Sequence, residues 1–119
     1  MMYSGPERRK YPRINARFVV SYSLLKDEDA VDLSQSKNLS LGGVLLTTHR
    51  RFEPGNNLIL EIRLPFYPHP VSVIAKVIES KEVIKDLIYD TRLEFVSTHK
   101  KHMNIIVAAV DYYLRKDKS

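Results

Sequence analysis

The chain has 119 residues, no cysteine and a formal net charge of +5. Its length and its 44% hydrophobic content predict one domain with a core of its own and no second domain. The lack of cysteine excludes disulfides, thiol nucleophiles and thiolate metal sites, and agrees with a reducing compartment. The longest apolar run, residues 105–110, is far shorter than the ~20 residues that span a bilayer, and the N-terminus has no hydrophobic signal core. We therefore expect a cytoplasmic protein that does not insert into membranes.

The N-terminal residues concentrate the positive charge. Residues 1–13 hold four cations and one carboxylate, which is +3 of the net +5. Within them, Arg9 and Arg13 are separated by a rigid Tyr-Pro pair that favours an extended backbone. Guanidinium groups can fork onto phosphate or onto the O6/N7 edge of guanine, and they can stack on a base. We expect residues 1–7 to be a flexible tail and residues 8–13 to be an arginine arm that binds an anionic, planar ligand.

Residues 14–96 have the pattern of short strands separated by turns. Apolar and polar residues alternate over residues 14–24, which is the period of two of a half-buried strand. Five more strands are predicted at residues 31–39, 43–48, 58–64, 71–78 and 88–96, and the intervening turns or loops at residues 26–30, 53–57, 65–70 and 79–86. Six short strands with such turns predict a small antiparallel barrel or sandwich.

The end of the chain changes to a helical period. Apolar residues spaced by three and four positions predict an amphipathic helix over residues 98–116, with Ser97 or Thr98 as its N-cap. We expect this helix to cover or plug the barrel. Its first turn is basic, where the helix dipole disfavours cations, so this turn is either a solvated surface or a site for a partner.

A second motif, NLSLGG, occupies residues 38–43. Strand alternation would place Asn38 and Ser40 on one face, where an amide and a hydroxyl could pair with the edge of a base. Gly42 and Gly43 would let a flat ligand approach the backbone. On these residues alone, an Asx or Ser/Thr turn with a left-handed glycine is the favoured interpretation.

The two motifs together resemble the PilZ domain family, receptors for the bacterial second messenger cyclic di-GMP. The resemblance rests on Arg9-x-x-x-Arg13 followed by Asn38-x-Ser40-x-x-Gly43 on an all-β chain with a C-terminal helix. It extends from Arg8 to about residue 114. It implies one domain of residues 8–119, folded as a six-stranded antiparallel PilZ-type β-barrel with a C-terminal helix.

The resemblance also implies roles for individual residues. Arg9 and Arg13 match the phosphate and guanine contacts, Asn38 and Ser40 the polar base contacts, and Gly43 the position of close approach. In the family, an arginine at the position of Arg8 is associated with two stacked ligands, and we predict two molecules of cyclic di-GMP per domain. The expected ligand-binding residues are therefore Arg8, Arg9, Arg13, Asn38, Ser40 and Gly43.

Three positions differ from the usual family pattern. Asn38 stands where the family more often has Asp, a variation that the family accepts. Thr91 and Arg92 stand where relatives usually have glycine, which could alter the wall of the ligand site.

The resemblance implies a non-enzymatic receptor whose arginine arm closes over the ligand and signals to a protein target. We expect no catalytic residue, no metal site and no cofactor. The acidic residues 27–29 suit a solvated loop better than a Mg²⁺ site, and His99 and His102 have no third metal ligand in view.

Two alternatives remain open. One is a PilZ-like adaptor that binds a protein through its helix and binds no nucleotide. The other is a small basic barrel that binds single-stranded nucleic acid, for which the +5 charge and seven tyrosines would be suitable. The intact motifs favour the receptor, and nucleic acid is not the expected partner.

Overall fold

The computed structural model describes residues 11–117, which form a closed antiparallel β-barrel followed by one helix. The strands are β1 (Val19–Leu24), β2 (Asp27–Leu39), β3 (Gly43–Thr48), β4 (Asn57–Ile62), β5 (Val71–Ile84) and β6 (Ile88–Thr98), and the helix is α1 (Lys100–Asp117). Around the barrel the order is β1-β2-β3-β6-β5-β4, and β4 closes it by pairing with β1. This confirms the six-stranded barrel with a C-terminal helix. The predicted flexible tail and the arm as far as Lys10 lie outside the described residues.

The core fills the barrel from alternate positions of its strands. In β4 the inward residues Leu58, Leu60 and Ile62 are fully buried, while their outward neighbours are half-buried or exposed. Each such aliphatic side chain contributes about 1.5–3 kcal/mol by leaving water. The period of two in the sequence is thus the direct cause of the strand's orientation.

The helix α1 adds its apolar face to the same core. Ile106, Ala109 and Val110 are buried in it, and the rings of Phe18 and Tyr113 meet edge to face at 5.6 Å between centroids. The helix therefore covers the barrel, as expected. Within residues 11–117, no helix combines the length and the hydropathy that crossing a membrane requires.

The segment before β1 is extended but does not form a continuous ladder. Its alternating burial agrees with the prediction, yet the strand begins only at Val19. Ile14 forms an isolated bridge with Leu39, each peptide N–H donating to the other's carbonyl at 2.9 Å. The chain directly after Arg13 is thereby fixed to the end of β2.

A serine side chain supplies the missing hydrogen bonds of this segment. The hydroxyl of Ser36, which is fully buried, accepts from the Phe18 N–H at 2.9 Å and donates to the Ala16 carbonyl at 2.8 Å. It lies beside a register shift in β2, between Ser36 and Asn38. Buried backbone groups must be paired, and here one hydroxyl pairs two of them.

Two predicted turns are wrong in extent. The acidic cluster was expected to turn the chain at residues 26–30, but β2 already begins at Asp27. The charged segment at residues 79–86 was expected to separate two strands, but β5 continues to Ile84 and the turn takes only residues 85–87. In both places the charged side chains are exposed, although their residues belong to paired strands. A strand can form there because pairing satisfies the backbone N–H and C=O groups whatever the side chains are.

The predicted helix cap is also wrong. Ser97 and Thr98 both belong to β6, where the Thr98 hydroxyl donates to a β5 carbonyl at 2.7 Å. The helix follows His99 instead, whose Nδ1 accepts from the Lys101 N–H at 3.1 Å. An imidazole nitrogen thus satisfies one of the free N–H groups that every helix start leaves.

Candidate functional site

An open cavity of about 390 Å³ lies between residues 11–13 and the outer face of β2, β3 and β6. Four of the six predicted binding residues line it, namely Arg13, Asn38, Ser40 and Gly43. The remaining lining residues are Tyr11, Gly42, Val44, Ile78, Arg92, Leu93 and Glu94. The other two predicted residues, Arg8 and Arg9, lie outside the described part of the chain. The structure thus brings Arg13 of the first motif to the second motif.

Strand geometry places the polar groups of the second motif. Asn38 and Ser40 flank the buried Leu39 and are half-buried themselves, so they share one face as alternation predicted. Asn38 lies opposite Leu45 of β3, and Leu45 lies opposite Arg92 of β6. Opposed residues share a face of the sheet, so Asn38 and Arg92 both point to the cavity.

The loop between β2 and β3 is a serine turn. The Ser40 N–H donates to the Gly43 carbonyl at 2.9 Å, and the Ser40 hydroxyl accepts from the Gly42 N–H at 3.1 Å. This is the Ser/Thr turn that the sequence left open, and it lines the cavity at the same time. Neither glycine is among the described residues with a left-handed φ, so that part of the turn interpretation is wrong.

The two glycines leave room for the protein's own atoms. A Cβ on Gly43 would lie 2.1 Å from the carbonyl oxygen of Leu93, on the paired strand β6. A Cβ on Gly42 would lie 2.5 Å from Cδ2 of Tyr11. Both distances are shorter than any normal contact. Close approach of a ligand to these glycines stays a prediction, while the packing of β6 and of Tyr11 already requires them.

The sequence interpretation missed three polar side chains that line the cavity. Tyr11 lies inside the first motif but was given no role, and Arg92 was noted only as a departure from the family. Glu94 was not considered. Leu93, which lies between Arg92 and Glu94, is apolar and buried. This alternation could have indicated that Arg92 and Glu94 face outward. Arg13, Arg92 and Glu94 give the described wall an excess of one positive charge, which favours an anion.

Thr91, the second departure from the family, has a structural role. Its hydroxyl lies 2.8 Å from that of Thr48 and 2.8 Å from that of Ser80. Both threonines are fully buried. The hydroxyls satisfy one another across β3, β6 and β5, so a polar side chain is accommodated beneath the site without an unpaired group.

The histidines near the helix start are engaged by the backbone. Nδ1 of His102 accepts from the Ser72 N–H at 3.0 Å, and Nδ1 of His99 caps the helix. In the part of the chain that the structure describes, no group of three or more His, Cys, Asp or Glu residues could hold a metal ion.

Comparison with known families matches the PilZ domain over residues 7–111. This chain belongs to the PilZ domain family. The matched range includes both motifs, the whole barrel and most of α1. PilZ domains are regulatory binding domains, which agrees with a cavity built from hydrogen-bonding and charged groups.

Solved structures agree with this assignment. The PilZ domain described here is similar to MotI/DgrA, the inhibitor of motility of Bacillus subtilis, with a TM-score of 0.74 and 25% identity over 93% of this chain and 51% of that one. It is also similar to the PilZ domain of YcgR from Escherichia coli, solved with c-di-GMP, with a TM-score of 0.67 and 18% identity over 94% of this chain and 95% of that one. The K. pneumonia MrkH–c-di-GMP complex gives a TM-score of 0.73 and 18% identity, over 94% of this chain and 55% of that one.

At 18% identity, YcgR and MrkH show the shared fold. The chain spans about half the length of MotI and MrkH. A comparison with curated protein sequences finds no match.

Proposed function

We propose that this PilZ domain is a cytoplasmic, non-enzymatic receptor for cyclic di-GMP. The observation that carries the proposal is the shared cavity, where Arg13 of the first motif meets Asn38, Ser40 and Gly43 of the second. Arg13 lies 25 or more positions before the other three residues in the sequence and meets them only through the fold. Two structurally similar PilZ proteins, YcgR and MrkH, were solved with this ligand.

The chemistry of the cavity suits both parts of the ligand. A guanidinium can form paired, charge-assisted hydrogen bonds with a phosphate or with the O6/N7 edge of guanine. The Asn38 amide can accept from the guanine amine, and the Ser40 hydroxyl can donate or accept beside it. Arg92, on the same face of the sheet as Asn38, adds a second positive charge towards the two phosphates of the ligand.

The arm supplies the switch in this proposal. Arg8 and Arg9 precede the described residues, and with Arg13 they would close over the ligand and change the surface that a protein target meets. Ordering the arm costs conformational entropy, which is subtracted from the contact energy. Equal amide exchange of residues 8–13 with and without ligand would exclude the arm as the switch.

We further propose that each domain binds two ligand molecules and that Arg8 sets this number. A second ligand brings two more negative charges, and an added guanidinium reduces their repulsion and offers a surface for stacking. Arg8→Leu should lower the stoichiometry from two to one while the protein stays folded. Titration well above the dissociation constant decides this, since a wild-type ratio of one would refute it.

Isothermal titration with cyclic di-GMP tests the receptor directly. Arg13→Ala should weaken binding by roughly 1.5–3 kcal/mol, since it removes charge-assisted bonds, and Ser40→Ala by ~0.5–1.5 kcal/mol. Arg17→Ala is the matched control, because Arg17 is exposed nearby but does not line the cavity. Unchanged affinity in the first two variants would place the ligand elsewhere.

The same titration separates the receptor from a nucleic-acid binder. A ligand with two phosphates should show a shallow dependence of affinity on salt, whereas a footprint of many phosphates gives a steep one. Tighter binding of a single-stranded oligonucleotide than of cyclic di-GMP would favour the basic-barrel alternative.

A protein-binding adaptor is the second candidate. It is favoured by the similarity to MotI, an inhibitor of motility, and by Phe66, whose side chain is 79% exposed beside Tyr112. An adaptor of this kind would give no heat with cyclic di-GMP.

A further inference from the structure

The ring of Tyr11 lies against the backbone of Gly42. A Cβ at Gly42 would come within 2.5 Å of Cδ2 and 2.8 Å of Cε2 of that ring. Carbon atoms in contact normally lie about 3.5–4.0 Å apart. The ring therefore occupies the space that a side chain at this position would need.

This space is the feature that only glycine provides at position 42. Gly42 is not among the residues with a left-handed φ, so its backbone conformation is open to other residues. Its two hydrogen bonds, from its N–H to the Ser40 hydroxyl at 3.1 Å and from the Phe95 N–H to its carbonyl at 2.9 Å, use backbone atoms. Any residue carries those atoms, with the exception of the N–H of proline.

Tyr11 also connects the arm to the ligand cavity. It stands two residues before Arg13, with the rigid Pro12 between them. Both Tyr11 and Arg13 line the cavity of about 390 Å³. Tyr11 and Gly42 also border a neighbouring cavity of about 590 Å³ beside the start of α1. The ring thus stands between the two cavities, on the turn that carries Ser40.

We propose that Tyr11 is a positioning residue for ligand binding, whose ring, seated on Gly42, holds Arg13 at the cavity. A side chain at Gly42 forces the ring to retreat by about 1 Å to reach normal contact, and the stiff Tyr-Pro step passes this movement to Arg13. This inference rests on the proposed function, because its effect is measured through cyclic di-GMP.

A double-mutant cycle on cyclic di-GMP affinity tests the coupling. Tyr11→Ala and Gly42→Ala should each weaken binding about tenfold, and the double variant should also weaken it only about tenfold, because both changes break one contact. Independent effects would multiply to about a hundredfold, and that result would overturn the proposal. Tyr67→Ala is the control, as Tyr67 is another half-buried tyrosine and does not line the cavity.

Tyr11→Phe distinguishes positioning from direct contact by the phenol. It keeps the ring and should bind cyclic di-GMP as the wild type does. If it binds as weakly as Tyr11→Ala, the hydroxyl contacts the ligand itself and the positioning role is refuted.

An NMR signature of the ligand-free protein reports the contact independently of ligand. The Gly42 Hα signals should be shifted by the Tyr11 ring current, and this shift should persist in Tyr11→Phe and vanish in Tyr11→Ala. No shift in the wild type overturns the proposal even if Gly42→Ala fails to fold. A wild type that shows the shift but binds no cyclic di-GMP refutes the proposed function, and the positioning role with it. If the wild type binds cyclic di-GMP but the effects of Tyr11→Ala and Gly42→Ala multiply in the double variant, the positioning role alone is refuted and the proposed function stands.

Discussion

Alanine at Gly43 should destabilise the barrel far more than alanine at Gly42. The reason is what each new methyl group would meet. At Gly43 it would meet the backbone oxygen of Leu93 at 2.1 Å, whereas at Gly42 it would meet the ring of Tyr11. Tyr11 precedes the strands of the barrel, so its ring can retreat together with its own segment, but a carbonyl of a paired strand can move only with its strand.

The magnitude follows from the hydrogen bonds that hold this corner. The methyl group must separate β3 from β6 by about 1 Å. The Phe95 N–H donates to the Gly42 carbonyl, and the Ser40 N–H donates to the Gly43 carbonyl, both at 2.9 Å. Weakening two such bonds, with one group left unpaired, costs roughly 2–4 kcal/mol. That is a large part of the 5–15 kcal/mol that typically stabilises a domain.

Urea unfolding followed by circular dichroism measures the difference. Gly43→Ala should lower the free energy of unfolding by about 3 kcal/mol, and the melting temperature by roughly 10 °C. Gly42→Ala should lower the free energy by less than about 1 kcal/mol. A loss in Gly43→Ala as small as that expected for Gly42→Ala would mean that β6 yields easily and that Gly43 is not required by the sheet.

Three further results are expected. Ser36→Ala should lower the free energy of unfolding by roughly 2–3 kcal/mol, because it leaves a buried N–H and a buried carbonyl unpaired. Ser97→Ala serves as the control, because Ser97 is exposed. Similar losses of unfolding free energy in the two variants would contradict the bridging role of Ser36. Burial raises the pKa of Tyr22 above its ordinary 10.0, so its contribution to stability is complete below pH 10 and is lost as the pH rises through the folded-state pKa. The free energy of unfolding of Tyr22→Phe should therefore depend less on pH above 10 than that of the wild type. Parallel curves of unfolding free energy against pH for the two proteins would rule this out. Arg92→Ala should weaken cyclic di-GMP binding by roughly 0.5–1 kcal/mol, since the group is exposed, and the difference from wild type should shrink in high salt; a gain in affinity would show that Arg92 obstructs the site.

The local features of this protein could be predicted from its sequence. The strand Gly43–Thr48 begins and ends where it was predicted, and β4 begins at Asn57, the last residue of the turn predicted at residues 53–57. Alternation placed Asn38 and Ser40 on one face. These features depend on side-chain period and turn chemistry, which a short stretch of sequence contains.

Local polarity was misleading where strands pair outside the packed core. The charged ends of β2 and β5 were interpreted as turns, and the helix cap was assigned to residues that belong to β6. A strand is stabilised by backbone hydrogen bonds to a neighbour that is distant in sequence. The composition of the strand alone does not reveal that neighbour.

The complete site could not be predicted from the sequence, because it depends on which strands pair. The pairing of β3 with β6 brings Arg92 across from Leu45 and, through it, to the face of Asn38. The same pairing sets the need for glycine at position 43, because the obstructing oxygen belongs to a residue 50 positions later in the chain. The resemblance to PilZ domains could assign roles to the motif residues, but the contact of Tyr11 with Gly42 depends on how the segment before β1 packs on the closed barrel.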